Sequence, residues 1–256
     1  MNIKRRIYND FFRPPLYDGY ERILSTAREA GYEFHTVLSF ENHIIGFGRK
    51  CFISRRDVDT KDLKCMRMLL ALEKKYGARS SCYFRWNTMD VELMKEIAEA
   101  GGESSYHYEE VATYCYKHRI RHKEEMLKHM EEIRDLFIAN YRAFKAKSSQ
   151  PCLTVASHGD YVNSRFHFQN KSIIDERVRK ECGFIREAYD PKHMDPITCR
   201  IADQSSQAFV DEVLAATRRG EPVIELLTHP RQWNSPFWVN LKEEISRVCK
   251  QSYMGI

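Results

Sequence analysis

A chain of 256 residues that is 43% hydrophobic carries enough apolar matter for a substantial core, and its net charge of +5 comes from acidic and basic residues interleaved along its length; these values suit a single domain over residues 1–256. A nucleic-acid protein concentrates its basic excess in a stripe or tail, but the nearest candidate, Lys117 to Lys128, also carries Glu124 and Glu125, so the charge reads as a solvated surface tilted toward anionic substrates. No run of about 18 apolar residues exists to span a membrane, and Met1 to Arg13 is polar and basic without the apolar stretch of a signal peptide, so a cytoplasmic protein is expected.

The elements alternate. Asp18 is placed to cap a helix over Gly19–Ala30, closed by Gly31; Glu33–Phe40 and Lys50–Arg56 read as strands. Asp62–Tyr76 has helical apolar spacing and ends at Gly77. Ser80–Arg85 is strand-like, Asp90 caps a helix running to Ala100, and Gly101-Gly102 turns the chain into a short strand, Glu103–His107. Arg119–Lys145 reads as one long amphipathic helix, Cys152–Ser157 as an apolar strand and Asp175–Glu181 as a helix. Ile197–Ala202 and Val223–Thr228 are strands, separated by a helix over Gln204–Arg219, and a helix over Pro236–Lys250 closes the pattern. Strands alternating with helices imply parallel pairing, with about seven strands in an open sheet or a barrel. The eight cysteines form no C-x-x-C pair, and Cys51, Cys82, Cys152 and Cys199 fall in apolar strand-like runs, which points to free, buried thiols.

Chemistry-bearing side chains gather where these strands end. Asp57 and Asp59 follow one strand, His107 the next but one, then His158 with Asp160, then Asp203, then His229. In a parallel α/β barrel all C-terminal strand ends share one rim, and that rim holds the active site. Two carboxylates at i and i+2 on extended backbone face the same way, so one is able to bind a cation while the other serves as a base; helix capping is the competing role. A neutral imidazole such as His107 is a common ligand for zinc and similar ions. Gly159 permits a sharp turn that aims His158 at the rim, and His229, ending an apolar strand before Pro230, suits a general acid. Arg85, Tyr106, Asp160 and Asp203 are the candidates for contacting substrate. No G-x-G-x-x-G or Walker-type loop is present, so nucleotide cofactors gain no support.

The order of these motifs resembles the NodB-homology polysaccharide deacetylases, carbohydrate esterase family 4, and within them the branch whose first motif reads H-D-V-D. The resemblance covers about residues 50 to 235. It implies a distorted (β/α) barrel and one divalent ion, zinc above others. Arg56-Asp57-Val58-Asp59 matches the first motif, with Arg56 where histidine is usual. Asp57 is then the catalytic base and Asp59 a metal ligand, although the two roles are exchangeable because the family's aspartates are adjacent. Glu103–His107 matches the second motif and makes His107 a ligand; the partner expected four residues later is replaced by Val111, and His158 is the proposed substitute. The third motif's arginine is absent, with Ser157-His158-Gly159-Asp160 in its place. Asp203 stands near the fourth motif, and Leu227-Thr228-His229 matches the fifth, making His229 the general acid. The activity implied is removal of an acyl group, acetyl first, from an N-acylated sugar. The alternatives are a non-catalytic glycan- or nucleotide-sugar-binding relative and another metal-dependent barrel hydrolase of C–N bonds.

Overall fold

A computed structural model of the chain describes residue 8 and residues 11–41, 49–203, 208–234 and 236–253. Its centre is a nine-residue strand, β2 (Lys50–Val58), preceded by β1 (Tyr32–His35) and followed in the chain by β3 (Ser81–Phe84), β4 (Glu103–Tyr108), β5 (Thr154–Ser157), β6 (Arg186–Glu187), β7 (Cys199–Ala202) and β8 (Val223–Thr228). Every pairing is parallel. Seven strands lie on one path in the order β6-β5-β4-β3-β2-β8-β7. The eighth, β1, pairs with the first half of β2, whose second half takes β3. The sheet curls into a distorted (β/α) half-barrel whose end strands, β6 and β7, do not pair with each other among the described residues.

Alternation along the strands sorts side chains between barrel interior and helical layer. In β2, Cys51 and Ile53 face inward with Tyr83, Ala156 and Val223, whereas Phe52 and Val58 pack under the helices. In β4 the outward residues Tyr106 and Tyr108 join the large aromatic core built with Phe137 and Phe144. Helix Tyr17–Glu29 lies between Leu63–Tyr76 and Phe209–Arg219, burying Tyr20, Ile23, Leu24 and Ala27.

The helices start where side chains satisfy their first amides. Asp62, Asp90 and Asp175 accept from Cys65, Leu93 and Val178 respectively, so the capping role near β2 belongs to Asp62 and leaves Asp57 and Asp59 to the rim. Helix Tyr17–Glu29 begins one residue before Asp18, which sits in its first turn. Gly102 must be glycine for a packing reason: a Cβ there would lie 2.8 Å from Ile97 Cγ2 and 3.0 Å from the Ser80 carbonyl oxygen, in the turn that delivers β4.

Two readings of the sequence change, and two elements are added to it. The expected strand over Glu33–Phe40 stops at His35, because Thr36 and Ser39 exchange reciprocal side-chain-to-amide bonds of 2.9 Å that start a helix over Val37–Glu41. The expected helix over Arg119–Lys145 is two, Lys123–Lys128 and Met130–Ser148, parted at His129; a separate helix, Glu110–His118, precedes them and ends at Arg119, at φ 61° in the left-handed region. Helix Tyr161–Phe166 starts at a reciprocal cap between Asp160 and Asn163, and β6 has two residues, too few for any periodic signal. The start expected at Gln204 lies outside the described residues. All eight cysteines are free thiols, six of them buried, and no helix of the described residues is long and apolar enough to cross a membrane.

Candidate metal centre

β2 brings Arg55 and Asp57 to the interior face one after the other, at the i, i+2 spacing of extended backbone. Both are buried, and the guanidinium grips the carboxylate with two bonds, Nε to Oδ1 at 2.9 Å and Nη2 to Oδ2 at 2.8 Å. The planar fork of arginine fits a carboxylate in this bidentate way. Burial alone would raise the Asp57 carboxyl, but the charge of Arg55, helped by His107, outweighs it and holds the group below the usual carboxylate range. Arg56 points the other way, into the helical layer, where it bonds Glu73 Oε1 at 2.8 Å and Tyr20 Oη at 3.0 Å. The arginine pair therefore splits across the strand, one half supporting the rim and the other the helical packing.

Asp59, just past the end of β2, is the point on which the imidazoles converge. Its Oδ1 lies 3.3 Å from His107 Nε2 and 3.4 Å from His158 Nε2, and its Oδ2 lies 3.8 Å from His229 Nε2. His107 Nε2 is also 3.6 Å from Asp57 Oδ2. Asp59, His107 and His158 form one of two potential cation-binding groups among the described residues; the other, Glu109, His158 and Asp160, shares His158 with it.

The donor set fits a divalent ion. His107 Nδ1 is 2.9 Å from the Ala156 carbonyl oxygen. A carbonyl only accepts, so Nδ1 carries a proton there and Nε2 is the nitrogen left facing the Asp59 carboxylate. Asp59 Oδ1 is buried with no hydrogen-bond partner. Lone pairs do not converge in a protein interior without a proton or a cation between them. Ligand atoms about 2.0 Å from an ion in a tetrahedral shell lie about 3.3 Å apart, which matches the separations of 3.3 and 3.4 Å here. Burial pushes His158 down toward the neutral form that ligates.

His229 ends β8 and faces Asp59 from across the rim. Its backbone amide donates to Asp203 Oδ2 at 2.5 Å, and its Nδ1 lies 2.8 Å from Asp203 Oδ1. Burial would lower this imidazole, but the charge and hydrogen bond of Asp203, with Asp59 and Asp57 behind them, raise it to about 9.

The structure thus gathers Asp57, Asp59, His107, His158 and His229 at one mouth. It separates the four residues expected to touch substrate. Tyr106 is in the aromatic core, 1% exposed, because it alternates with His107 along β4. Asp203 stands behind His229. Asp160 caps its helix through Val162 N and takes a 2.7 Å bond from Tyr116 Oη. Arg85 reaches the rim but is held bidentately by Glu109, at 3.1 and 2.6 Å. Two residues that sequence reasoning passed over, Arg55 and Glu109, belong to the site. The i, i+2 rule applied to Arg55 and Asp57 identifies the first; nothing local identifies the second.

No family model matches the chain, and no curated protein does. Among solved structures it is similar to a CE4 family pseudoenzyme from Bacillus anthracis, at 16% identity and a TM-score of 0.45 over 80% of this chain and 63% of that one. It is also similar to a mutant of that protein with restored enzymatic activity, at 16% identity and a TM-score of 0.44, over 80% of this chain and 64% of that one. The peptidoglycan deacetylase PdaC from Bacillus subtilis matches at 14% identity and a TM-score of 0.35, over 80% of this chain and 98% of that one. The chain spans 63% of the pseudoenzyme's length.

Proposed function

We propose that the chain is a metal-dependent hydrolase that removes an acyl group, acetyl foremost, from an N-acylated sugar, with zinc held by Asp59, His107 and His158. One observation carries the reading: a buried, unpartnered carboxylate oxygen facing two imidazole nitrogens at the edge length of a tetrahedral shell. The order of motifs along the chain supports the sugar-amide substrate; fold by itself does not fix a substrate.

A bound divalent ion polarises the acyl carbonyl and acidifies a water molecule. The protein's own groups handle the protons. Asp57, kept anionic by Arg55, takes the proton from the attacking water. His229, cationic at neutral pH, stands on the far side of Asp59 and gives its Nε2 proton to the departing amine, while Asp203 fixes its orientation through Nδ1. Of the two role assignments the sequence leaves open, base for Asp57 and ligand for Asp59 is the one supported by Arg55 occupying both oxygens of Asp57 while Asp59 Oδ1 faces the histidines.

The test is the Asp57→Asn variant. It retains one zinc per chain by elemental analysis, and release of acetate from N-acetylated sugars falls about 10²- to 10⁴-fold. Near-normal turnover would remove Asp57 from the mechanism. Stoichiometric zinc with no hydrolysis of any N-acyl sugar by the unmodified protein would leave a binding protein instead.

A further inference from the structure

The two histidines that face Asp59 are held differently. His107 has its second nitrogen fixed by the Ala156 carbonyl of β5 at 2.9 Å. His158 Nδ1 is buried and has no partner at hydrogen-bond distance; the carboxylate oxygen standing opposite it is Glu109 Oε2, at 3.7 Å. Glu109 follows β4 directly and is only partly exposed. Arg85, from the end of β3, binds it through Nε and Nη2, with Nη2 2.6 Å from the same Oε2 that faces His158. Asp160, the other carboxylate near His158, is already committed to Val162 N and Tyr116 Oη.

We infer that Glu109, clamped by Arg85, is the positioning residue for His158: it accepts the Nδ1 proton, and so fixes the tautomer that turns Nε2 toward Asp59 and a cation. A ligating imidazole needs an acceptor for its other nitrogen, and that acceptor sets the ring's orientation and basicity. The present 3.7 Å separation closes by roughly 0.9 Å to reach a charge-assisted bond, a shift within the reach of a partly exposed glutamate side chain. The arginine keeps the glutamate aimed. His158 carries no counterpart of the backbone anchor that serves His107, so the Arg85–Glu109–His158 arm is the adjustable side of the site. This inference rests on the zinc reading above and concerns its least secured ligand.

Zinc affinity, measured by competition with a chromophoric chelator, tests it in four proteins: unmodified, Glu109→Gln, His158→Ala and the double variant. Thermal melts of the metal-free forms check folding. Glu109→Gln keeps a hydrogen-bonding partner for Arg85 and is expected to weaken zinc binding about 10- to 100-fold. His158→Ala weakens it further, and adding Glu109→Gln to His158→Ala changes nothing more, because the glutamate acts through the histidine. A residue that merely holds the loop would lower the melting temperature and leave this coupling at zero. Unchanged affinity in Glu109→Gln, or an equal loss in both backgrounds, overturns the inference and leaves the zinc reading intact. Failure of the unmodified protein to bind zinc overturns both.

Discussion

Glu110 lies beside Glu109 in sequence but is buried in the aromatic core, 1% exposed. Its Oε1 accepts from Tyr106 Oη at 2.5 Å and from Asn140 Nδ2 at 3.1 Å, while Oε2 has no partner. Burial dominates, the two hydrogen bonds offset only part of it, and the carboxyl is pushed up to about 7 from its ordinary 4.5. That rise corresponds to about 3 kcal/mol. Between pH 4.5 and 7 the folded protein keeps this proton and the unfolded chain has released it. Stability therefore falls as pH rises through that window and levels off above it. Glu110→Gln keeps the shape and the contacts with Tyr106 and Asn140 without the titration. At pH 5 the two proteins should unfold at similar urea concentrations. By pH 8 the variant should be more stable by up to about 3 kcal/mol, and its stability should lack the extra fall seen in the unmodified protein. Parallel pH profiles for the two proteins, from urea titrations at pH 5, 6, 7 and 8, would refute the idea that a protonated Glu110 is built into the core.

Asp203→Asn removes the charge that raises His229, so the alkaline limb of the kcat/KM profile moves to lower pH, because less His229 keeps its proton there; an unmoved limb would take the acid role away from His229. Val111→His restores the residue type of the resembled motif, but position 111 is fully buried in the aromatic core, so the variant loses about 1–3 kcal/mol in urea unfolding for an unsatisfied ring and gains no zinc affinity in the chelator assay.

The strand ends were legible because the residues on them break a simple expectation: apolar runs such as Val223–Thr228 should not finish on histidine without cause. The helix cap at Asp90 was legible because a cap is a local contact. The misplacement of Tyr106 came from treating the whole strand end as rim, when alternation sends Tyr106 outward and His107 inward. The expected helix over Arg119–Lys145 hid a break at His129, which neither glycine nor proline marks. Glu109 was invisible because its partners, Arg85 at the end of one neighbouring strand and His158 at the end of the other, meet it only in the fold.

Curvature is the step between those legible residues and a site. Six consecutive strands along the sheet each deliver a polar group from the same end: His158 from β5, His107 from β4, Arg85 from β3, Asp57 and Asp59 from β2, His229 from β8 and Asp203 from β7. Adjacent strands lie about 4.8 Å apart, so on a flat sheet the four gaps between β5 and β8 would separate their ends by about 19 Å. Yet His158 and His229 approach the same aspartate, to 3.4 and 3.8 Å. Asp59 is able to meet both because the sheet curls around it, and because the central strand carries it just past its own end, above the mouth. The proposed use of His158 in place of a ligand at position 111 follows the same logic. Position 111 turns into the core, whereas the end of β5, beside β4, is brought by the curl to within reach of Asp59. The curled sheet thereby allows a cation site assembled from strand ends alone, with the helices left to pack.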